Sequence, residues 1–320
     1  MTITASAPPP VKQKGAARPK RLNHLRQNWW IYVFLLPTFL GYGAYTVYPL
    51  LASWWYALLD WPGFAMSGEF IGFENFERLL TDDQFWNAFG KSLLFLVIAV
   101  PARVGLALLL ALWLNSKKTP FPGFFRTLFF LPVVTTGAII GIVFTLLLDA
   151  NGPISLGLVW AGITETPTNF VANAGTSLYA GIAVWVWKWL GITMIYWLAA
   201  LQTVPQDVHE AAMLDGANGR KEFWHVTLPL LVPFLVIITL IDTVSALNVF
   251  DLMHTLTGGG PAFSSEVIEI FIYRTAFAAT VPQLGYASAA AVLFGLLTVI
   301  IAVAQAVGVR WARKQMGSGS

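Results

Sequence analysis

Six stretches of this chain run for 20 residues or more with few charges, at 29–58, 88–114, 127–148, 176–201, 230–253 and 285–309. Each matches the roughly 20 apolar residues that cross a bilayer as a helix. A water-soluble core cannot hide this much apolar surface in a chain of this length, so lipid is the expected solvent for most of it. The pattern predicts an all-α membrane protein with six transmembrane helices. Pro49 marks a place where the first helix bends or ends.

Charge orients the spans. Lys12, Lys14, Arg18, Lys20, Arg21 and Arg26 precede the first, Lys117, Lys118 and Arg126 lie between the second and third, Arg220 and Lys221 between the fourth and fifth, and Arg310, Arg313 and Lys314 after the sixth. The alternate loops hold Asp60, Glu69, Glu74, Glu77, Asp82, Asp83, Asp149, Glu165, Glu266 and Glu269. Basic loops stay in the cytoplasm, so both termini are expected there. Residues 1–28 read as a disordered basic cytoplasmic tail, 29–309 as the six-helix domain and 310–320 as a second cytoplasmic tail whose last residues are a flexible end. The tail and the run after it are too long for a cleaved signal peptide, so the first span is expected to be retained.

Composition narrows the classes. The chain is 57% hydrophobic and only 11% charged, well below the usual quarter. It has no cysteine, and its four histidines, at 24, 209, 225 and 254, are scattered. No disulfide framework, thiolate metal site or catalytic cluster is expected.

One polar segment interrupts this pattern, between the fourth and fifth spans: HEAAMLDGANGRKEFWHVTLPLLVP, 209–233. Asp207 and Glu210 have the spacing of a capping box. Val208, Ala211 and Ala212 fall on one helical face, and Gly216 suits a left-handed helix end. A second short helix is expected over 220–226, with Pro229 in the first turn of the next span. Two readings follow from the chemistry: a helix-turn-helix whose small alanines admit a docking partner, or an amphipathic linker resting on lipid headgroups.

The segment closely resembles the EAA loop of ABC importer permeases: Glu210-Ala211-Ala212, then Asp215-Gly216, then Val226 and Leu228-Pro229, every spacing kept, with Val226 where Ile is common. LTGGGPAFSSEVIEIFIYRTAF (256–277) is similar to the signature of carbohydrate-type permeases of the first of two paired kinds, and FPGFFRTLFFLPVV (121–134) to the opening of that family's third span. The likeness spans about residues 29–309. It implies the type I ABC importer permease fold in a bacterial or archaeal cytoplasmic membrane. It also implies a second permease subunit, two ATPase subunits and an extracytoplasmic substrate-binding protein as partners. The cargo would be a sugar, an oligosaccharide or glycerol phosphate. No cofactor is expected on this chain; ATP and Mg would bind the ATPases, which dock on the EAA loop.

Gly90-Lys91-Ser92 ends like a phosphate-binding loop, but Phe85 stands where its first glycine belongs, and Thr257–Gly260 lies on the wrong face for an ATPase signature. Arg103, Lys188 and Asp242 fall inside spans, where charge is costly and is paired or lines a path. Counting from the span ends puts Lys188 and Asp242 at one depth, as a structural pair or as path residues. Trp185 and Trp189 flank Lys188 on one face, as packing or as platforms for sugar rings. Asn248, Asp251 and Tyr196 are further hydroxyl partners. A secondary transporter coupled through Asp242 is the main rival; it leaves the EAA spacing without a role. A membrane enzyme would need clustered acid, base or metal groups at one face.

Overall fold

A computed structural model describes residues 29–63, 68–116 and 118–317, with side chains through residue 308. The basic tail at 1–28, Lys117, the side chains of Arg310, Arg313 and Lys314, and the last three residues lie outside what it describes. The chain divides into two units, residues 1–52 and 53–320.

Helix α1, Trp29–Tyr56, starts in the first unit and ends in the second. The helix passes through Pro49 without stopping. A π turn at Gly43–Val47 comes just before, where the Tyr48 N–H bonds the Gly43 carbonyl five residues back. That shift in register accommodates a proline, which has no N–H to give.

Beyond α1, Leu59–Asp60 (β1) and Glu69–Phe70 (β2) pair antiparallel. Asn75, on the short helix α2 (Glu74–Leu80), donates to the carbonyls of Ala57 and Leu59, each at 2.9 Å. Asp82 caps helix α3, Asp83–Asn115, by accepting the N–H groups of Gln84 and Phe85. Its other oxygen accepts Tyr286 Oη at 2.6 Å, tying α3 to the last helix.

The third expected span is broken. Helices α4 (Pro122–Val134) and α5 (Gly137–Leu147) meet at 99°. Thr136 caps α5 by accepting the Ile139 N–H, which starts a new helix where an uninterrupted one was expected. A short helix α6, Pro153–Trp160, follows. Helix α7, Ser177–Leu201, matches the fourth run. Helix α8 (Gln206–Leu214) leads to α9 (Gly219–Ala246), and α10 is Phe250–Leu256. The fifth span therefore ends at Ala246, not at 253. Helix α11, Ile268–Tyr273, runs into a π turn at Arg274–Ala278, and α12 covers Leu284–Gly317. Among the described residues five helices are long and apolar enough to cross a membrane, and α4 with α5 makes a sixth as one broken span.

Helix α7 is the centre of the second unit. It packs along α3 and is crossed by α4. The crossing needs Gly191, because a Cβ there would strike the carbonyl of Phe129. Trp185, Met194 and Trp197 of α7, Phe95 and Ala107 of α3 and Leu231 of α9 are buried in one core. A second core joins Phe85, Phe271, Tyr286 and Ala289 from α3, α11 and α12.

Candidate functional sites: a surface loop, a buried ion pair and a cavity

The surface loop is built from α8 and the start of α9. Pro205 occupies the N-cap position of α8 with no side-chain cap, so the capping box expected of Asp207 and Glu210 does not form. Glu210 instead accepts Gln206 Nε2 at 3.0 Å, one helical turn away. The helix ends as expected. Gly216 has φ +76°, the Ala217 N–H bonds the Ala212 carbonyl, and the Gly216 N–H bonds that of Met213. This double bond pattern is the Schellman turn that a glycine at C′ permits.

No separate second helix follows. Asn218 Oδ1 accepts the Lys221 N–H and starts α9, which runs without interruption through the membrane-length segment. The π turn at Phe223–Thr227 sits just before Leu228-Pro229, repeating the solution seen at Pro49. His209 of α8 contacts Glu222 of α9 through Nδ1 and Oε1, bracing the two arms. Of the predicted loop residues, Ala212 is buried, while Glu210, Ala211, Asp215 and Gly216 are exposed beside Met213 and Leu214. Leu214 is 88% exposed, an apolar side chain with no cover from the described residues. Leu228 is half-buried and Pro229 exposed.

Inside the helix bundle, Asp242 pairs with Arg103 and not with Lys188. Arg103 Nη2 lies 2.9 Å from Asp242 Oδ1, with side chains 2% and 0% exposed. Thr193 completes the triangle, accepting Arg103 Nε at 2.7 Å and donating to the carboxylate at 3.2 Å. The guanidinium also covers the Trp185 ring at 4.7 Å. Lys188, one turn along α7, places its Nζ 3.6 Å from the centroid of Trp189. A desolvated cation over a Trp face gains about 2 kcal/mol. Trp185 and Trp189 are thus occupied by this chain's own cations.

A cavity lies elsewhere, between the end of α9, the start of α10, α11 with its π turn, and the middle of α12. It measures about 580 Å³. Phe250, Phe277 and Phe294 line it with Asn248, Glu269, Tyr273 and Thr298. Of the six predicted path residues only Asn248 is on this lining; Asp251 is exposed on α10, and Lys188, Asp242 and the two tryptophans belong to the buried cluster. The charge pattern places Glu269 among the acids of an outer loop. Helix α11 folds it back, and its Oε2 accepts the Val249 N–H at 2.8 Å. Burial pushes its carboxyl up to about 7 against the pull of the Val249 and Phe250 N–H groups, and the nearby Asp251 charge adds to the rise. The sequence signal was available: Ile268-Glu269-Ile270-Phe271 places one acid inside an apolar helix.

The LTGGGP stretch forms an ordered loop between α10 and α11. Ser265 Oγ lies 2.7 Å from both Thr257 Oγ1 and the Gly260 carbonyl, and Arg274 Nε donates to Glu266 at 2.7 Å. Neither decoy has a phosphate cradle. Lys91 reaches the Phe263 carbonyl from within α3, and Ser92 accepts the Ile268 N–H.

Long apolar helices, a cavity among them and a structured polar loop at one end define a multi-spanning membrane protein of the transport class. Residues 83–314 match the family described as the binding-protein-dependent transport system inner membrane component, and the chain belongs to that family. It is a multi-pass protein of the cytoplasmic membrane and a permease component of such a system. It is 31% identical over 280 residues to the lactose transport system permease protein LacF of Rhizobium radiobacter, covering 87% of this chain and 92% of that one. The multiple sugar-binding transport system permease protein MsmF of Streptococcus mutans is 30% identical over 281 residues, 87% and 94% of the two chains. The sn-glycerol-3-phosphate transport system permease protein UgpA of Agrobacterium fabrum is 28% identical over 274 residues, 85% and 91%. Among solved structures, a chain of a bacterial alginate ABC transporter in complex with an alginate pentasaccharide-bound periplasmic protein aligns with a TM-score of 0.73. That alignment has 22% identity and covers 89% of this chain and 96% of that one, so it shares the fold.

Proposed function

We propose that this chain is one of two permease subunits of an ATP-driven importer for a sugar or oligosaccharide. It does not hydrolyse ATP itself. Two ATPase subunits dock on the loop from Glu210 to Pro229, on the cytoplasmic side with both termini, and carry the ATP and Mg. A substrate-binding protein delivers the sugar to the opposite face.

The observation that carries this reading is the build of the loop. A short exposed helix with uncovered Met213 and Leu214 is joined by one glycine turn and the His209–Glu222 brace to a helix that itself spans the membrane. Movement of α8 is therefore delivered to α9 without a flexible joint. Closing of the ATPases shifts the helices between inward-open and outward-open states, a population shift driven by binding at another subunit. The cavity supports a sugar as cargo, since its three phenyl rings offer apolar faces and its Asn, Glu, Tyr and Thr side chains offer partners for hydroxyls. The relatives named for lactose and multiple sugars support the same class.

The test is uptake of labelled lactose, maltotriose and sn-glycerol 3-phosphate into liposomes carrying the co-purified complex, with ATP enclosed and binding protein outside. ATP-dependent entry of a saccharide supports the reading. Entry of glycerol phosphate alone favours the second reading, to which the 28% identical relative points. Transport by this chain without any ATPase contradicts both.

A further inference from the structure

Above about pH 7, where Glu269 has lost its proton, the wall that this chain gives the cavity carries charge of one sign. Glu269 is its ionisable acid, and none of the lining residues is Lys, Arg or His. The titratable groups around it do not balance that charge. On α10, Asp251 adds a second carboxylate, and His254 stacks on Phe250 and meets the Tyr273 ring edge to face. Arg274, next in the chain after Tyr273, is committed to Glu266 and Gln84. On α9 the nearest acid, Asp242, is matched by Arg103. The lining part of α12, from Ala291 to Thr298, has no titratable side chain.

We infer that Glu269 makes this cavity a filter for charge, admitting neutral saccharides and rejecting anionic ones such as aldonates, uronates and sugar phosphates. The inference rests on the cavity's being the path of the sugar. An anion entering it loses hydration and meets a carboxylate with no cation to replace the lost water. A neutral sugar instead donates its hydroxyls to that carboxylate, and a hydrogen bond to an ionised acceptor is about twice as strong as one between neutral groups. The Val249 N–H holds one oxygen of Glu269 in place, so the carboxyl cannot swing out of the wall without breaking that bond.

The chain has no cysteine, so a single Ala291→Cys on the cavity lining reports occupancy through its rate of maleimide labelling. The assay uses the whole complex, with the other subunits free of cysteine and no binding protein added. Lactose and maltotriose are compared at pH 8 with their alditols and aldonates, which share one open end and differ in charge. The sugars and alditols are expected to slow labelling, and the aldonates to need about tenfold more ligand or beyond for the same protection, the scale of one like-charge contact in a partly hydrated site. Adding Glu269→Gln, which keeps an acceptor for the Val249 N–H, is expected to shrink that gap below about threefold. Equal protection by aldonate and alditol with Glu269 intact overturns the inference, as does a gap that survives Glu269→Gln. If Glu269→Gln does not assemble, the aldonate–alditol comparison on the intact wall still decides. If liposomes take up the sugar but no sugar slows labelling, the cavity is not the path; the filter falls and sugar import stands. If liposomes take up no sugar, import itself falls, and the filter with it.

Discussion

Arg103 on α3 and Asp242 on α9 meet 2.9 Å apart in the packed interior of the helix bundle, with Thr193 of α7 bonded to both. Three helices are thereby pinned at one point. Breaking a buried pair by removing one partner costs about 3–5 kcal/mol, because the other charge is left uncompensated. Arg103→Leu and Asp242→Leu are each expected to lower the thermal midpoint of the complex sharply, and the double variant to recover most of the loss. Lys188→Met should add to Asp242→Leu without such recovery. The comparison is a double-mutant cycle, and strong coupling of Asp242 to Lys188 with none to Arg103 contradicts the pairing.

Gly191 predicts a steric threshold. A Cβ at this position would meet the Phe129 backbone, which cannot turn aside as a side chain can. Gly191→Ala is expected to cost about 1–3 kcal/mol by overpacking, and Gly191→Leu to prevent stable assembly. Thermal midpoints and the yield of intact complex check this. A Leu variant as stable as the parent rules out the close crossing of α4 and α7.

Glu269 predicts a pH dependence. Its carboxyl is raised from 4.5 to about 7, so the folded protein holds a proton there over a range where the unfolded chain has lost it. Stability linked to this group is present below about pH 4.5 and is lost as pH rises through about 7. Glu269→Gln removes that loss. The variant is expected to raise the thermal midpoint at pH 8 relative to the parent and to change it little at pH 5. The opposite order contradicts the burial of this carboxyl.

The hydrophobic runs made most of the membrane helices legible, because length and apolar content alone define α3, α7 and α12 to within a few residues at their cores. Two breaks were not. Thr135-Thr136-Gly137 interrupts the third run by capping chemistry, which scarcely lowers hydropathy, and the fifth helix stops at Ala246 inside an apolar stretch. Counting depth from span ends also gave Asp242 the wrong partner: it meets Thr193, which lies beyond Lys188 along α7, because the ends of α7 and α9 do not lie at one level. Thr193 is not legible in the sequence, because a lone hydroxyl on a buried helix has no pattern. Most of the loop was readable, since Gly216 dictates its turn, but the brace between His209 and Glu222 depends on how two helices fold together. The cavity was illegible for the same reason, being assembled from four separate segments.

The turn at Gly216 offers the most direct test of the coupling mechanism. Its φ of +76° is open to glycine and hostile to a β-branched residue. The measurement is sugar uptake and ATP hydrolysis, taken together on liposomes carrying the complex with either the parent chain or Gly216→Val. With the variant, sugar moved per ATP hydrolysed is expected to fall at least about tenfold, the loss that a disordered coupling joint of about 1.4 kcal/mol would give, while the complex stays assembled. An unchanged ratio in an assembled Gly216→Val complex contradicts coupling through this loop.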